Sequence, residues 1–232
     1  MSHSLTEYDK FKVIRPVIGN HILDSYDLPV MHRITESEID ITKATPLNIA
    51  NLCAKYKNSD KVVLPFNDDK SILKYWNDPL KYIPLLQTAM AVGTPDYSVY
   101  TSMNSNEIRH NVYMNRWLGC LWQDYNINAL PTLQWSTPDT YDICFGGTEK
   151  GGIVLISTIG VHNDVRLFYQ GFNAMKERLN PSLIIVYGNM LPEMYGRFIN
   201  YKYTDAFNSN KQAYKQLSLF DSSMIFERKR GA

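Results

Sequence analysis

The sequence predicts an α/β fold of repeated βα units, with a mostly parallel sheet that is either incomplete and barrel-like or doubly wound. Three observations carry this. Short runs rich in β-branched and aromatic residues recur as VVLPF (62–66), YSVYT (97–101), ALPTLQW (129–135), IVLIST (153–158) and SLIIVY (182–187), with starts 35, 32, 24 and 29 residues apart. Those intervals leave room for the crossover helix that parallel strands need. IVLIS and LIIVY are continuous apolar runs without alternation, as expected where both faces of a parallel sheet are covered. After Gly160, the residues Val165, Phe168, Phe172, Met175 and Leu179 recur at steps of 3, 4, 3 and 4, which puts them on one stripe of a helix.

Taken in order, the chain reads first as a strand over 28–34 and a helix over 46–56. After VVLPF, an amphipathic helix is expected over 78–90, kinked by Pro84. YSVYT follows, then a helix over 104–125 whose start pairs Asn104 with Glu107 three positions on, the spacing of a capping box. ALPTLQW comes next, then DTYDICFGGTEKGG (139–152), expected to form an inserted strand and a glycine-rich turn. The helix after Gly160 should stop at Pro181 and hand over to SLIIVY. From Tyr201 the chain turns polar and ends in Glu227, Arg228, Lys229 and Arg230, which suggests an edge element and a frayed tail. The expected organisation is a single domain: an N-terminal extension over 1–60 packed on the core, a βα core over 61–200 and a polar C-terminal extension over 201–232. The barrel-like arrangement is preferred because no Gly-rich dinucleotide turn marks a Rossmann half.

Composition limits the function. In 232 residues, 24 Lys plus Arg stand against 23 Asp plus Glu, and 44% of residues are hydrophobic, so the chain can build a core. A net charge of +1 does not favour nucleic acid as a partner, since phosphate binding draws on a local excess of cations. MSHSLTEYDKFKVIRPVIGN has no apolar signal-peptide core and no window of about 18 apolar residues occurs, so a cytoplasmic protein with no membrane partner is expected. Cys53, Cys120 and Cys144 lie far apart without metal-ligand spacing, which argues for small buried hydrophobes rather than a disulfide framework or zinc site.

In parallel α/β sheets, ligands meet the carboxyl ends of the strands. There the sequence offers Asn67, Asp68 and Asp69; Ser102 and Asn104; Gln134, Trp135 and Ser136; Thr158 and Gly160 with His162; and Tyr187, Gly188 and Asn189. This rim is rich in amides, hydroxyls and rings but poor in acid/base pairs, which suits a small polar ligand bearing sugar or phosphate. Asp68, Asp96, Asn104, Trp135 and Tyr187 are the candidate binding residues. Arg116 joins them as a phosphate contact, together with Arg109 seven residues earlier on nearly the same helix face. A glycosidase would need facing carboxylates, and the strands that follow end in Gln134 and Tyr187.

Two other classes stay open. A metal-dependent phosphodiesterase or nuclease would use Asp68, Asp69, Asp96 and His162, and would bring in a divalent metal; otherwise no metal or cofactor is implied. A host-protein interaction module would use exposed tyrosines. The C-terminal cations Arg197, Lys202, Lys211, Lys215 and 228–230 interleave with Tyr195, Tyr201, Tyr203 and Tyr214, a pattern used on single-stranded nucleic acid. FGGTEKGG places glycines around Lys150, but glycines and then a strand follow it, so it reads as a hairpin turn rather than a phosphate loop.

PDYSVY (95–100), NRWLGCLWQ (115–123), LPTLQWS (130–136), FGGTEKGGIVLISTIG (145–160) and LNPSLIIVYG (179–188) stand in an order and spacing that resembles a bacterial and phage family, domain of unknown function family 4417. The resemblance runs from Leu64 to Gly188. It implies an intracellular accessory role on phages and other mobile genetic elements and assigns no catalytic residue. Its motif positions Asp96, Ser98, Arg116, Gln123, Trp135, Gly147 and Gly188 become candidates without a role.

Overall fold

The computed structural model describes residues 15–161, 164–203 and 225–231. Four strands, β1 (Thr45–Asn48), β2 (Lys61–Leu64), β3 (Ala91–Gly93) and β4 (Ala129–Leu130), form a parallel sheet in chain order. A second sheet holds β5 (Ile153–Ser157), β6 (Leu183–Tyr187) and β7 (Gly196–Tyr201) in parallel, with β8 (Phe226–Arg228) antiparallel at its edge. The two sheets meet just past β4, where Thr132 bridges Leu155 in parallel and the Leu133 amide donates to the Leu155 carbonyl at 2.8 Å. Seven parallel strands thus follow one another in sequence order. Among the described residues no ladder joins β7 to β1, and the Tyr201 hydroxyl reaches across that seam to the Ala44 carbonyl at 3.0 Å. The expected incomplete, barrel-like sheet is what forms.

Alternating side chains of these strands bury on opposite sides. Val62, Leu64, Leu130, Leu155, Ile185 and Ile199 point into the curve of the sheet and make one core with Ile34, Ile39 and Ile41. Their neighbours Val63, Val92 and Ala129 face the helices α1 (Asp69–Asn77) and α3 (Ser105–Asp124). Val154, Ile156, Ile184 and Val186 face α4 (Tyr141–Phe145) and α5 (Val165–Leu179). Burial on both faces is why β5 and β6 read as unbroken apolar runs.

The three longer helices start where the sequence supplies acceptors for their first amides. Asp68 caps α1 by accepting from the Ser71 amide at 3.0 Å, and Asp164 caps α5 through the Leu167 amide at 2.9 Å. Asn104 caps α3 in a full capping box, with Glu107 returning to the Asn104 amide at 3.1 Å. Of the expected stripe, Phe168, Phe172, Met175 and Leu179 are buried as the spacing predicts, whereas Val165, in the first turn, is exposed. Asn180 ends that helix in the left-handed region at φ 42°, one residue before Pro181.

Several elements differ from expectation. YSVYT is a loop, and the strand beside β2 comes earlier, at the short run Ala91–Gly93. Side chains from three other elements hold the YSVYT backbone, so it has no need of a ladder. Residues 46–56 hold β1 and a 3-10 turn, Ile49–Asn51, instead of a helix. Pro46 is tolerated because β1 is an edge strand. Residues 28–34 make only isolated bridges, Pro29 to Leu23 and Met31 to Thr148. The helix expected over 78–90 is replaced by α1 upstream and by the single turn α2 (Ile83–Leu86), where Pro84 sits in the first turn, a position that loses no hydrogen bond. The segment 139–152 contains α4 rather than a strand, and its glycine turn leads to no hairpin, because β5 pairs in parallel. β7 was not foreseen: GRFINY mixes charge with apolar residues and lacks the run that marks β5 and β6.

Candidate functional site

The carboxyl ends of the strands form a rim with two unlike halves. Over β2–β4 it is polar. Asp69, in the first turn of α1, accepts from the Ser98 amide at 3.1 Å. Gln134, just past β4, donates to the Tyr97 carbonyl at 2.8 Å and accepts from the Val99 amide at 3.3 Å. From α3, Asn111 donates to the Ser98 carbonyl and Asn115 to the Pro95 carbonyl, each at 2.7 Å. Asp96 lies within this grip, with Oδ1 enclosed and without a hydrogen-bond partner among the described residues. Burial, and after it the charge of Asp69, pushes the Asp96 carboxyl up to about 7, against the pull of the Gln134 amide. Asp68 shows the opposite behaviour: the Ser71 hydroxyl and amide hold its carboxyl below the usual range.

Beneath this half lies Arg116, wholly buried on α3. Its guanidinium donates to the Gly146 carbonyl at 2.9 Å, the Cys144 carbonyl at 2.9 Å, the Thr132 carbonyl at 3.3 Å and the Asn115 side-chain oxygen. Burial lowers it to about 10. Carbonyl dipoles, two of them at the end of α4, make the direct contacts a carboxylate would otherwise make. Burial also pushes the Cys120 thiol up to about 12 and raises that of Cys144, so neither is a nucleophile at neutral pH.

Over β5 and β6 the rim opens into a cleft of about 280 Å³ lined by Thr158, Ile159, Gly160, Val161, Val165, Gly188, Asn189, Leu191 and Tyr203. Four of these nine residues are aliphatic, and Ile159, Val165 and Tyr203 are 49%, 38% and 54% exposed. Gly188 turns the chain out of β6 at φ 116°, and a Cβ there would sit 2.5 Å from the Thr158 hydroxyl, so only glycine lets the two loops approach. A row of rings joins this cleft to the rest of the mouth. Tyr187 stacks on Phe66 with centroids 4.9 Å apart and 8° between planes, and Tyr203 lies 6.1 Å from Tyr187 on the other side. Beside Phe66, the buried Asn48 accepts from the Ala50 amide at 2.9 Å and the Asn67 amide group at 3.1 Å, while its Nδ2 has no partner among the described residues.

The residues singled out from the sequence therefore fall in different places. Asp68, Asp69 and Asp96 share the β2–β3 corner, and Tyr187, at the end of β6, is fully buried in the core rather than open to a ligand. Asn104 caps α3 at the surface. Arg116 binds backbone beneath the rim, and Trp135 packs outside the strands on Phe145, Phe168 and α5. Gly171 makes room for that indole, since a Cβ there would lie 2.0 Å from Trp135 Cδ1. Arg109 faces the Tyr26 ring at 5.8 Å, away from Arg116. His162, Lys211, Lys215 and Tyr214 lie outside the described residues. Among the described residues, no group of three or more His, Cys, Asp and Glu converges to hold a metal ion, and no helix is long and apolar enough to cross a membrane.

The other motif positions also find work. Gln123 bonds the His32 amide and carbonyl at 2.9 and 2.8 Å, Glu149 accepts from the Arg33 amide at 2.9 Å, and the Gly147 amide donates to Asp24 at 2.8 Å. Of the cleft residues, the sequence singles out neither Ile159 nor Leu191, and it offers Val165 only in the helix stripe and Tyr203 only in the C-terminal cation–tyrosine pattern. Their signal was weak: apolar side chains just past strand ends, hidden by the assumption that such ends are polar.

Fold and rim define a class: an α/β protein of sequential parallel strands in an incomplete barrel, with a cleft at the strand carboxyl ends. Within that class the chain belongs to the family described as domain of unknown function DUF4417, whose model matches residues 23–204. Over 128 residues it is 38% identical to the Gene 1 protein of Mycobacterium phage D29, covering 54% of this chain and 47% of the phage protein. It is 36% identical to the Gene 1 protein of Mycobacterium phage L5 over 128 residues, covering 54% and 56% respectively. The chain spans about half the length of the curated relatives it matches. No solved structure matches it.

Proposed function

We propose that the chain is a phage-type accessory protein that binds a small ligand of mixed polarity in the cleft over β5 and β6. The observation that supports this is the cleft's position: parallel α/β sheets take ligands at their strand carboxyl ends, and the glycine turn there brings backbone close to whatever enters. The lining refines the polar ligand expected from sequence. Ile159, Val165, Leu191 and Tyr203 suit the flat or apolar face of a sugar or ring, while Thr158 and Asn189 offer hydrogen bonds to its polar edge. Asp164 already caps the α5 N-terminus, so a phosphate on the ligand would point toward solvent rather than onto that helix. A metal-dependent phosphodiesterase has less support, because Asp68 is committed as a cap and only Asp69 and Asp96 remain together among the described residues.

The test is calorimetric titration of the full chain with ribose 5-phosphate, glucose 1-phosphate, adenosine and adenosine monophosphate. Binding of at least one that weakens roughly tenfold or more in Tyr203→Ala supports the reading, since a ring contact is worth about 1–3 kcal/mol. Binding unaffected by Tyr203→Ala and by Val165→Asp, or no binding across the set, counts against it.

A further inference from the structure

We propose that Asp96 is a proton-operated latch on the loop between β3 and α3: protonated, it lets the loop close onto α1 and the end of β4; ionised, it sets two carboxylates against each other and loosens that loop. The loop carries PDYSVY, a motif that ligand binding at the cleft does not use. Side chains from three separate elements hold its backbone: Asp69 from α1, Asn111 and Asn115 from α3, and Gln134 beyond β4. Asp96 sits inside that ring of contacts with Oδ1 enclosed and unpartnered.

A neutral carboxyl tolerates such a place. An ionised oxygen without a donor does not, because nothing replaces the water it has lost. The group facing Asp96 with a charge is Asp69, which cannot swing away while it accepts from the Ser98 amide. The other groups that grip the loop are neutral amides, Gln134 beyond β4 and Asn111 and Asn115 from α3. Arg116 on α3 is turned toward the carbonyls of Cys144 and Gly146. Arg15, which acts on Tyr97 of the same loop, lies over the Trp76 and Trp117 rings, so among the described residues no cation offsets the two carboxylates, and the raised carboxyl at about 7 places the transition near neutrality. Opening the loop would move Ser98 and the exposed Tyr100, whose hydroxyls are paired at 2.9 Å, on the rim above β3.

Amide NMR of the full chain tests this, following the shift and hydrogen-exchange protection of Ser98 and Val99 from about pH 5.5 to about pH 8.5. The expected result is a common midpoint near 7, with protection, corrected for intrinsic exchange, falling tenfold or more above it. Asp96→Asn should abolish the midpoint and keep both amides protected throughout. Asp69→Asn should move it down by about one unit or more, since the like charge is gone. Wild-type amides without an inflection in this range, or an inflection that persists in Asp96→Asn, would overturn the latch. Should Asp96→Asn fail to fold, Asp69→Asn decides alone: an unmoved midpoint overturns the proposal.

Discussion

The two halves of the rim differ in what their side chains are committed to. Over β2–β4, the side chains of Gln134, Asn111, Asn115, Asp69 and, beneath them, Arg116 bond to backbone within the protein, while Asp96 Oδ1 and, at the end of β1, Asn48 Nδ2 find no partner among the described residues. Over β5 and β6, the side chains Ile159, Val165 and Tyr203 stand in solvent around a cleft. Polar residues at strand ends are thus no guide to a ligand by themselves. What matters is whether their hydrogen bonds are already made, and here those of Gln134, Asn111, Asn115, Asp69 and Arg116 are.

Substitutions can break this contrast. The largest effect should come from Arg116→Met, which removes a buried guanidinium from four acceptors and strands the Cys144 and Gly146 carbonyls. Stability measured by urea unfolding should fall by about 3–5 kcal/mol. A loss under about 1 kcal/mol would mean that the polar half is not holding the fold. Asn115→Ala and Gln134→Ala each leave buried carbonyls unpaired and should cost about 1–3 kcal/mol on the same assay.

Acidity gives a third contrast. Because the Asp96 carboxyl is raised in the folded chain, its protonated form favours folding. That contribution is fully present below the unfolded value near 3.8, is lost as pH rises toward about 7, and is constant above it. Chemical denaturation of wild type and Asp96→Asn between these limits should therefore show the variant gaining relative stability with rising pH. Equal slopes would place the carboxyl in water. The smallest effect belongs to the cleft: Ile159→Ser and Tyr203→Ala remove exposed surface and should change stability by no more than about 0.5 kcal/mol while lowering ligand affinity.

Much of this architecture was legible because local signals agreed with the final packing. β5, β6, α3 and α5 each combine an apolar pattern with a cap or a stop, and each appears where the sequence places it. Elements defined by tertiary contacts were hidden. Ala91–Gly93 is a strand only because β2 and β4 flank it, and YSVYT, with the composition of a strand, is held as a loop by Asn111, Gln134 and Asp69. Site reasoning met the same barrier. The sequence shows that Arg116 and Asn104 are polar, but not that four backbone and amide acceptors and a helix terminus have already claimed them.

The most direct measurement is a map of amide shift changes on adding whichever of the four small molecules binds. The account predicts that the changes gather at 158–161, Gly188, Asn189 and Tyr203, with Asp96, Ser98 and Gln134 unmoved at constant pH. Changes centred on 95–100 and Gln134, with the cleft silent, would contradict the division of the rim into a half that holds the fold and a half that holds the ligand.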